Sequence, residues 1–525
     1  MKKLFSVFFI TTILSIFIAT SYSAEAAEIG AHITGEDITE AGEPAESLPS
    51  YYSSKDLGYT TSVKTQIGNV CWAYASTSSF ETLALKDGFY IGDYNSELLD
   101  LFGTKRPDGN GWQRGEFAAG YTYIPIGYFM SWNGPVVNDG DKPTHVVTGL
   151  SYIFKENRQQ IKKLIMKSGA VTANFNTYSR AYSKDQCSYC LTDEISQISG
   201  HTVSVIGWDD NYDKAKFDGN YTPNENGAWL CKNSWGPEKN DIGGYLWISY
   251  EDFYLFNDET FGPSFGIDSI KEIKDSDHLY QNEVDGATYE LEFNDADSTT
   301  FFNVFDFSEN GNVLDKVVFE SISEGSDYTV YLANLDGNGA PVSNKDEWKE
   351  LKRGTVDYKG YICCELDDIT VPEEKCAIGI EINNEKLNQG KTEKTLTGLG
   401  VNEWLRSSIT KEMIYIMPCE SGKSFITYHG SVVDLKDYYK EVKSDEIGGT
   451  LVIKAITDGV KNTRIAGDIN IDGTVDINDV TCLQKYLAGY TTVLSTIQSE
   501  NADFNSDGKI NINDATAIQR HLANM

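Results

Sequence analysis

Histidine is scarce: there are six in 525 residues. Cationic side chains are also few, 44 Lys and Arg against 78 Asp and Glu, for a net charge of −34. That balance excludes an electrostatic nucleic-acid binder and weakens attraction to anionic lipid. Beyond the apolar run Leu4–Thr20 no stretch is apolar enough to cross a bilayer. The nine cysteines form no recognisable framework. Cys187-Ser188-Tyr189-Cys190 is the one C-x-x-C, open to a disulfide, a metal half-site or a pair of free thiols. Without a second such pair, and with so few histidines, a zinc site is disfavoured.

What the chain does hold is organised around residues 63–81, VKTQIGNVCWAYASTSSFE. Trp72, Ala75, Ser79, Phe80 and Leu83 recur at helical spacing after Cys71, and the pattern stops at Gly88. Cys71 therefore sits at a helix N-terminus, where the dipole and unpaired N–H groups favour thiolate over thiol. The alternative is an inert buried cysteine. A thiolate nucleophile needs a base and a group to aim that base. Of the histidines, His145 follows Pro143 in a loop-like tract, whereas His201 opens the alternating strand HTVSVIGWDD behind a glycine that leaves the ring room. Farther on, LCKNSWG supplies Asn233, an amide able to orient a ring nitrogen, and Trp235, able to cover that bond from water.

These motifs resemble the papain-like cysteine peptidases, with their Cys-His-Asn arrangement. The matching residues are the Gln66–Ala73 block, His201 with its strand, and Asn233 to Gly236. LPSYY and LGYTTSVKTQ before the cysteine, SELLD at Ser96–Asp100, GNGW at Gly109–Trp112 and IKKLIMKSGAVTANF add to the likeness, which spans roughly residues 48–255. The resemblance implies an α+β peptidase domain hydrolysing peptide bonds, with Cys71 as nucleophile, His201 as base and acid, Asn233 as orienter and Gln66 as oxyanion donor, and no catalytic cofactor. Two departures stand out. Gln66 is five positions before Cys71 where the family usually has six, and the loop lacks the family's disulfide cysteine. The insertion DNYDKAKFDGNYTPNEN lengthens the path from His201 to Asn233.

At the N-terminus, Met1-Lys2-Lys3, the apolar run and small residues at Ala24, Ala26 and Ala27 read as a secretory signal over 1–26, with an uncleaved anchor as the alternative. Residues 27–47 are too short for a long inhibitory pro-segment. Past residue 260 come short alternating runs, among them TFFNVFDF, KVVFESI, DYTVYLAN, KCAIGIEI, EMIYIMP, KSFITYH and TLVIKAI, separated by Gly, Asn, Asp and Ser. They predict an antiparallel β-sandwich. The tract SDHLYQNEVDGATYELEF resembles the lectin-like domain of bacterial papain-like peptidases, which leaves carbohydrate as a possible ligand beside a packing or substrate-gathering role.

The last sixty residues repeat: GDINIDGTVDINDVTCLQKYLAG is echoed 35 residues later by ADFNSDGKININDATAIQRHLAN. Each copy places oxygen ligands at alternating loop positions with a glycine at the sharp turn, the logic of a calcium loop. The first copy offers Asp468, Asn470, Asp472, the Thr474 carbonyl, Asp476 and Asp479. The second offers Asp503, Asn505, Asp507, the Lys509 carbonyl, Asn511 and Asp514. Asp in the last position, and no helix ahead of the first loop, resemble dockerin modules. That resemblance implies two calcium ions and a cohesin partner on a scaffolding protein. Contact would run through Ile477, Asn478, Gln484 and Lys485 in one copy and Ile512, Asn513, Gln519 and Arg520 in the other.

The expected organisation is a peptidase domain over 48–262, a β-sandwich over 263–458 and a small α-helical dockerin over 459–525. The expected function is a secreted, extracellular cysteine endopeptidase held in a cellulosome-like complex. The alternative is an inactive peptidase fold serving as an adhesin on the same scaffold.

Overall fold

The computed structural model describes residues 48–525 except 196–198, 258–260, 295, 309–310, 373, 404, 407–412, 418, 443–447, 459–464, 471–473, 489–495 and 524–525. The expected signal and the segment to residue 47 lie outside the described residues. Three parts follow in chain order: an α+β region, a β-sandwich and a small helical C-terminal repeat.

In the first part, α1 (Cys71–Asp87) is buried on nearly every side, Trp72, Ala73 and all of Ala75 to Ala84 being enclosed. Two of its buried hydroxyls are satisfied within the helix. Ser79 and Thr82 hydroxyls donate to the carbonyls of Ala75 and Ser78, at 3.1 and 2.9 Å. The helix stops at Gly88, whose φ of 83° only glycine adopts readily, and whose N–H returns to the Ala84 carbonyl. Next come α2 (Ser96–Phe102), capped by the Asn95 side chain on the Glu97 and Leu98 N–H groups, and the apolar α3 (Tyr123–Met130). α4 (Arg158–Ser168) turns Ile161, Leu164 and Ile165 inward. Against these helices lie the antiparallel strands Val171–Asn176, Gly200–Asp209, Ala228–Lys232 and Tyr245–Ser249. They are buried on both faces along nearly their whole length, so polar side chains such as Asn174, Asn176 and Ser204 lie inside beside the apolar ones.

One tract differs from the sequence reading. His145 does not sit in a loop but heads the strand His145–Ile153, which pairs with Ser264–Glu272. The short punctuation around Pro143 masked a nine-residue buried strand.

The sandwich sets a six-stranded sheet (Lys349–Thr355, Asp327–Ala333, Lys375–Asn383, Ser298–Asp306, Ser424–Tyr428, Ser431–Asp434) over a larger one. Phe301, Phe305, Val317, Phe319, Ile380, Leu399 and Ile426 fill the space between them. The larger sheet runs on into the first part, since Gly360 and Tyr361 pair with Ser151 and Leu150. Ser264–Glu272, just past residue 262, also belongs to it. At this seam Gly127 of α3 admits the Asp285 backbone: a Cβ there would stand 2.1 Å from the Asp285 carbonyl oxygen. The two parts therefore share one continuous sheet and a close-packed contact.

The C-terminal repeat packs the helices Ile477–Leu487 and Ile512–Ala523 around Ile469, Val480, Leu483, Ala502, Ala515 and Ile518. Among the described residues no helix is long and apolar enough to cross a membrane.

Candidate active site

The Cys71 sulfur opens α1, and the Gly200–Asp209 strand brings His201 to it. His201 is 6% exposed, and its Nε2 lies 2.8 Å from Asn233 Oδ1. That oxygen also accepts the Ser234 N–H at 2.8 Å. A carbonyl oxygen only accepts, so Nε2 carries a proton and Nδ1 is the ring atom left for the thiol. The Trp235 indole stacks on the imidazole with centroids 4.6 Å apart, and Phe175 meets it edge-on at 5.6 Å. The ring is thus packed against aromatic side chains, and its hydrogen bond to Asn233 is buried.

The electrostatics follow from that enclosure. Burial alone would push the Cys71 thiol up, but the charge and hydrogen bond of His201, aided by the N–H and hydroxyl of Thr202, reverse this and hold it below 9.0. Burial would likewise push His201 down, and the opposing charge and hydrogen bond of Cys71, with the bond to Asn233, hold it above 6.5. Both shifts favour the thiolate–imidazolium form over the neutral pair.

Gln66 is brought to the same end of the cleft and is aimed by a residue the motif reading passed over. Its Oε1 accepts the Ser234 hydroxyl at 2.7 Å, its N–H donates to the Ser234 carbonyl at 2.7 Å, and its Nε2 donates to Gly68 O at 2.9 Å. The shortened loop is thereby pinned to the Asn233 strand. Gly200 plays a different part from the one expected of it. A Cβ there would come 2.1 Å from the Phe261 ring, so the glycine makes room for Phe261.

Beneath the site runs a polar network. Glu81 of α1, 1% exposed, accepts from Lys64 at 2.6 Å and from the Thr61 hydroxyl at 2.6 Å, and Lys232 donates to Thr61 at 2.7 Å. Burial brings the Lys232 amine down to about 8, an effect the nearby Glu81 charge opposes. This chain ties the helix that carries Cys71 to the strand Ala228–Lys232, which Asn233 follows.

His145 is far from this constellation in role: it stacks on Phe89 at 4.0 Å. Cys187 and Cys190 are both free thiols, and burial pushes Cys190 up to about 12. Of the alternatives the C-x-x-C left open, the disulfide is not formed.

In the C-terminal repeat the loop carboxylates are wrapped by backbone. Asp479 accepts the N–H groups of Ile469, Asn470 and Asp476 at 2.7, 3.0 and 2.8 Å. Asp514 accepts those of Asn505 and Asn511 at 3.2 and 2.9 Å, and Asp503 those of Asp507 and Gly508 at 3.0 and 2.9 Å. Asp468, Asn470, Thr474, Asp476, Lys509 and Asn511 lie on the same two loops, while Asp472 is outside the described residues. Among the described residues no group of three His, Cys, Asp or Glu is close enough to hold a metal. Each loop instead alternates Asp with Asn and backbone carbonyls, an all-oxygen set that fits calcium rather than a softer ion. The eight residues from Ile477 to Arg520 expected to meet a partner are all exposed, Ile477 at 59% and Ile512 at 58%.

Residues 127–259 match the papain family cysteine protease family, residues 279–457 the lectin-like domain family and residues 466–523 the dockerin type I domain family. The chain carries a papain-like cysteine peptidase domain, a lectin-like domain and a dockerin. Cathepsin L2 of Homo sapiens is 26% identical over 231 residues, which are 38% of this chain and 61% of that protein. Cathepsin J of Rattus norvegicus is 26% identical over 220 residues, 38% of this chain and 60% of that protein. The chain thus spans about three-fifths of the length of the curated relatives it matches. Among solved structures, the clostridial cysteine protease Cwp84 after propeptide cleavage is 29% identical with a TM-score of 0.67, over 77% of this chain and 98% of that one. A structure of the cysteine protease and lectin-like domains of Cwp84, a surface layer associated protein of Clostridium difficile, is also 29% identical with a TM-score of 0.67, over 79% of this chain and 89% of that one.

Within the peptidase domain the family match covers His201 and Asn233, whereas Cys71 and Gln66 lie ahead of it. Ser234, Thr202, Glu81 and Lys232 are what sequence reasoning missed. A signal existed for two of them: a charged residue inside an apolar run, as Glu81 is in SSFETLAL and Lys232 in AWLCKNSW, is buried only when paired.

Proposed function

We propose that this protein is a secreted cysteine endopeptidase whose Cys71 thiolate attacks peptide carbonyls while its dockerin tethers it to a cohesin-bearing scaffold. The carrying observation is the buried His201 ring, bonded to Asn233 at 2.8 Å beside a cysteine at a helix N-terminus. In the reaction the sulfur–carbon bond forms and the carbonyl oxygen takes the negative charge. The Cys71 N–H and the Gln66 side chain stabilise that oxyanion, each donor supplying about 3 to 4 kcal/mol. His201 then gives its proton to the departing amine as the carbon–nitrogen bond breaks. Water, deprotonated by His201, cleaves the thioester, releasing the acid and restoring the ion pair. Asn233 keeps the ring aligned throughout.

Calcium, one ion in each dockerin loop, would be held by the Asp and Asn oxygens named above and would order the loops ahead of their helices. The exposed Ile477–Lys485 and Ile512–Arg520 faces would meet the cohesin. The amino-terminal run supports export, and the scaffold would place the enzyme outside the cell.

Titration of the mature protein with an epoxide or vinyl-sulfone thiol inhibitor tests this reading. Stoichiometric labelling at Cys71 with inhibitor-sensitive cleavage of a mixed peptide library is expected. An unlabelled Cys71, or cleavage that survives Cys71→Ala, would overturn it.

A further inference from the structure

The segment Gly103–Tyr121, here called the rim, packs against the start of α1, which carries Cys71. Its inner half is anchored beside the thiol. The Asn69 N–H donates to the Phe117 carbonyl at 2.9 Å, the Arg114 guanidinium lies 4.9 Å over the Trp72 ring, and a Cβ on Gly120 would stand 2.6 Å from that ring. The outer half, Gly109–Trp112, is held differently. Trp112 packs into the core beside Trp72 and Ile124, but the described hydrogen bonds of this half within the peptidase domain are internal to the loop, the Gln113 amide donating to the carbonyls of Gly109 and Gly111 at 2.9 Å each.

What braces the outer half comes from the lectin-like domain. Gly111 and Trp112 pair in antiparallel register with Ile416 and Tyr415, and the Gln113 N–H donates to the Ile414 carbonyl at 2.8 Å. The Trp112 and Tyr415 rings, both buried, meet with centroids 4.9 Å apart. Behind them Arg106 donates to both carboxylate oxygens of Asp285 at 2.5 Å, and the Tyr415 hydroxyl lies 2.7 Å from Asp285 and 2.8 Å from Asn402. Asp285 is fully buried, and a buried carboxylate is tolerated only when paired and bonded. Its cationic partner is supplied by the rim.

Gly111 and Trp112 are buried, but the rim is open at Gly109 and Gly115, where nothing stands within 4 Å of the position of a Cβ and another chain has room to approach closely. We propose that the Met413–Ile416 strand of the lectin-like domain is part of the peptidase's substrate-binding rim, with Arg106, Asp285 and Tyr415 as positioning residues that hold Gly109–Trp112 against an extended peptide substrate. This rests on the peptidase reading above. It makes peptide binding, but not thiolate formation, depend on the lectin-like domain.

The test compares Arg106→Ala, Arg106→Lys and Tyr415→Phe in the full chain, reading KM and kcat on a peptide that the wild type cleaves and the rate of Cys71 alkylation by iodoacetamide. Arg106→Ala is expected to raise KM about tenfold, Tyr415→Phe about threefold and Arg106→Lys less than Arg106→Ala, with kcat and alkylation within about twofold of wild type. Unchanged KM in both Arg106→Ala and Tyr415→Phe would overturn the proposal. So would kcat and alkylation falling in step with binding, which would make these contacts general supports of the fold. If Arg106→Ala does not fold, Tyr415→Phe, which keeps the ring, decides. A wild type that alkylates but cleaves no peptide would defeat the peptidase reading and this proposal with it, whereas an active wild type with an indifferent rim defeats this proposal alone.

Discussion

The cleft around Cys71 and the two loops of the dockerin both gather charged and polar groups, but they hold them by opposite means. Around Cys71, His201 is buried and bonded to Asn233, and Glu81 and Lys232 are buried and linked through Thr61, supported by large cores on both sides. Among its described residues the dockerin buries six apolar side chains, and most of the described hydrogen bonds to its loop carboxylates come from backbone N–H groups. Protein packing can preorganise an ion pair in the first setting. In the second, the proposed calcium ions would supply the attraction that the loop carboxylates do not find in the protein. Chemistry and tethering should therefore fail under different treatments.

Cys71→Ala should separate the two most sharply. Peptide hydrolysis is expected to fall by about 10⁴-fold or more, while binding to a cohesin and the thermal unfolding of the peptidase stay as in the wild type. Chelation by EGTA is the reverse experiment. It should abolish cohesin capture and expose the dockerin to proteolysis, with kcat/KM on a free peptide unchanged within about twofold. Parallel loss of both activities on chelation would erase the distinction.

Asn233→Ala should lower kcat/KM by roughly 10²-fold, within the span of general acid–base assistance. It also has a signature in pH. The thiolate–imidazolium pair is populated above the lowered Cys71 value and below the raised His201 value. The bond from His201 to Asn233 contributes to raising the imidazole, so its loss should move the alkaline limb of the kcat/KM profile to lower pH while the helix stays intact.

The smallest effect is expected at the seam. Glu320, 2% exposed, accepts the Tyr152 hydroxyl, and burial pushes its carboxyl up to about 8 from 4.5. The folded state then binds the proton more tightly than the unfolded state. Stability drains as pH rises from the unfolded value through the folded one. Glu320→Gln, which cannot ionise, should raise Tm by roughly a few degrees at pH 9 and barely at pH 4.5. Equal shifts at both values would mean that the carboxyl is not carrying a buried charge at high pH.

Much of this was legible because it is local. The helix after Cys71 shows itself in residue spacing and a terminal glycine, the His201 strand in alternation, and the two loops in a 35-residue echo. Other features are invisible in any window. Lys349–Thr355 reads as a charged loop because it is an edge strand with mostly exposed side chains, where Lys and Glu guard against pairing. The strand Gly360–Thr370 carries CCELDD and shows no clean alternation. Arg106 and Asp285 are 179 residues apart, and nothing near either announces the other. Gly127 looks like an unfavourable choice inside an apolar helix until the Asp285 backbone is found against it.

The claim on which the rest depends is that Cys71 is a thiolate made by its surroundings. The pH dependence of iodoacetamide alkylation, followed at Cys71 by mass spectrometry in the calcium-loaded full chain, measures that directly. A rate that stays high from neutral pH down to well below the ordinary thiol range, and collapses in His201→Ala, is the predicted result. A rate that climbs only above about pH 8.5, as for a free cysteine, and is indifferent to His201, would contradict it.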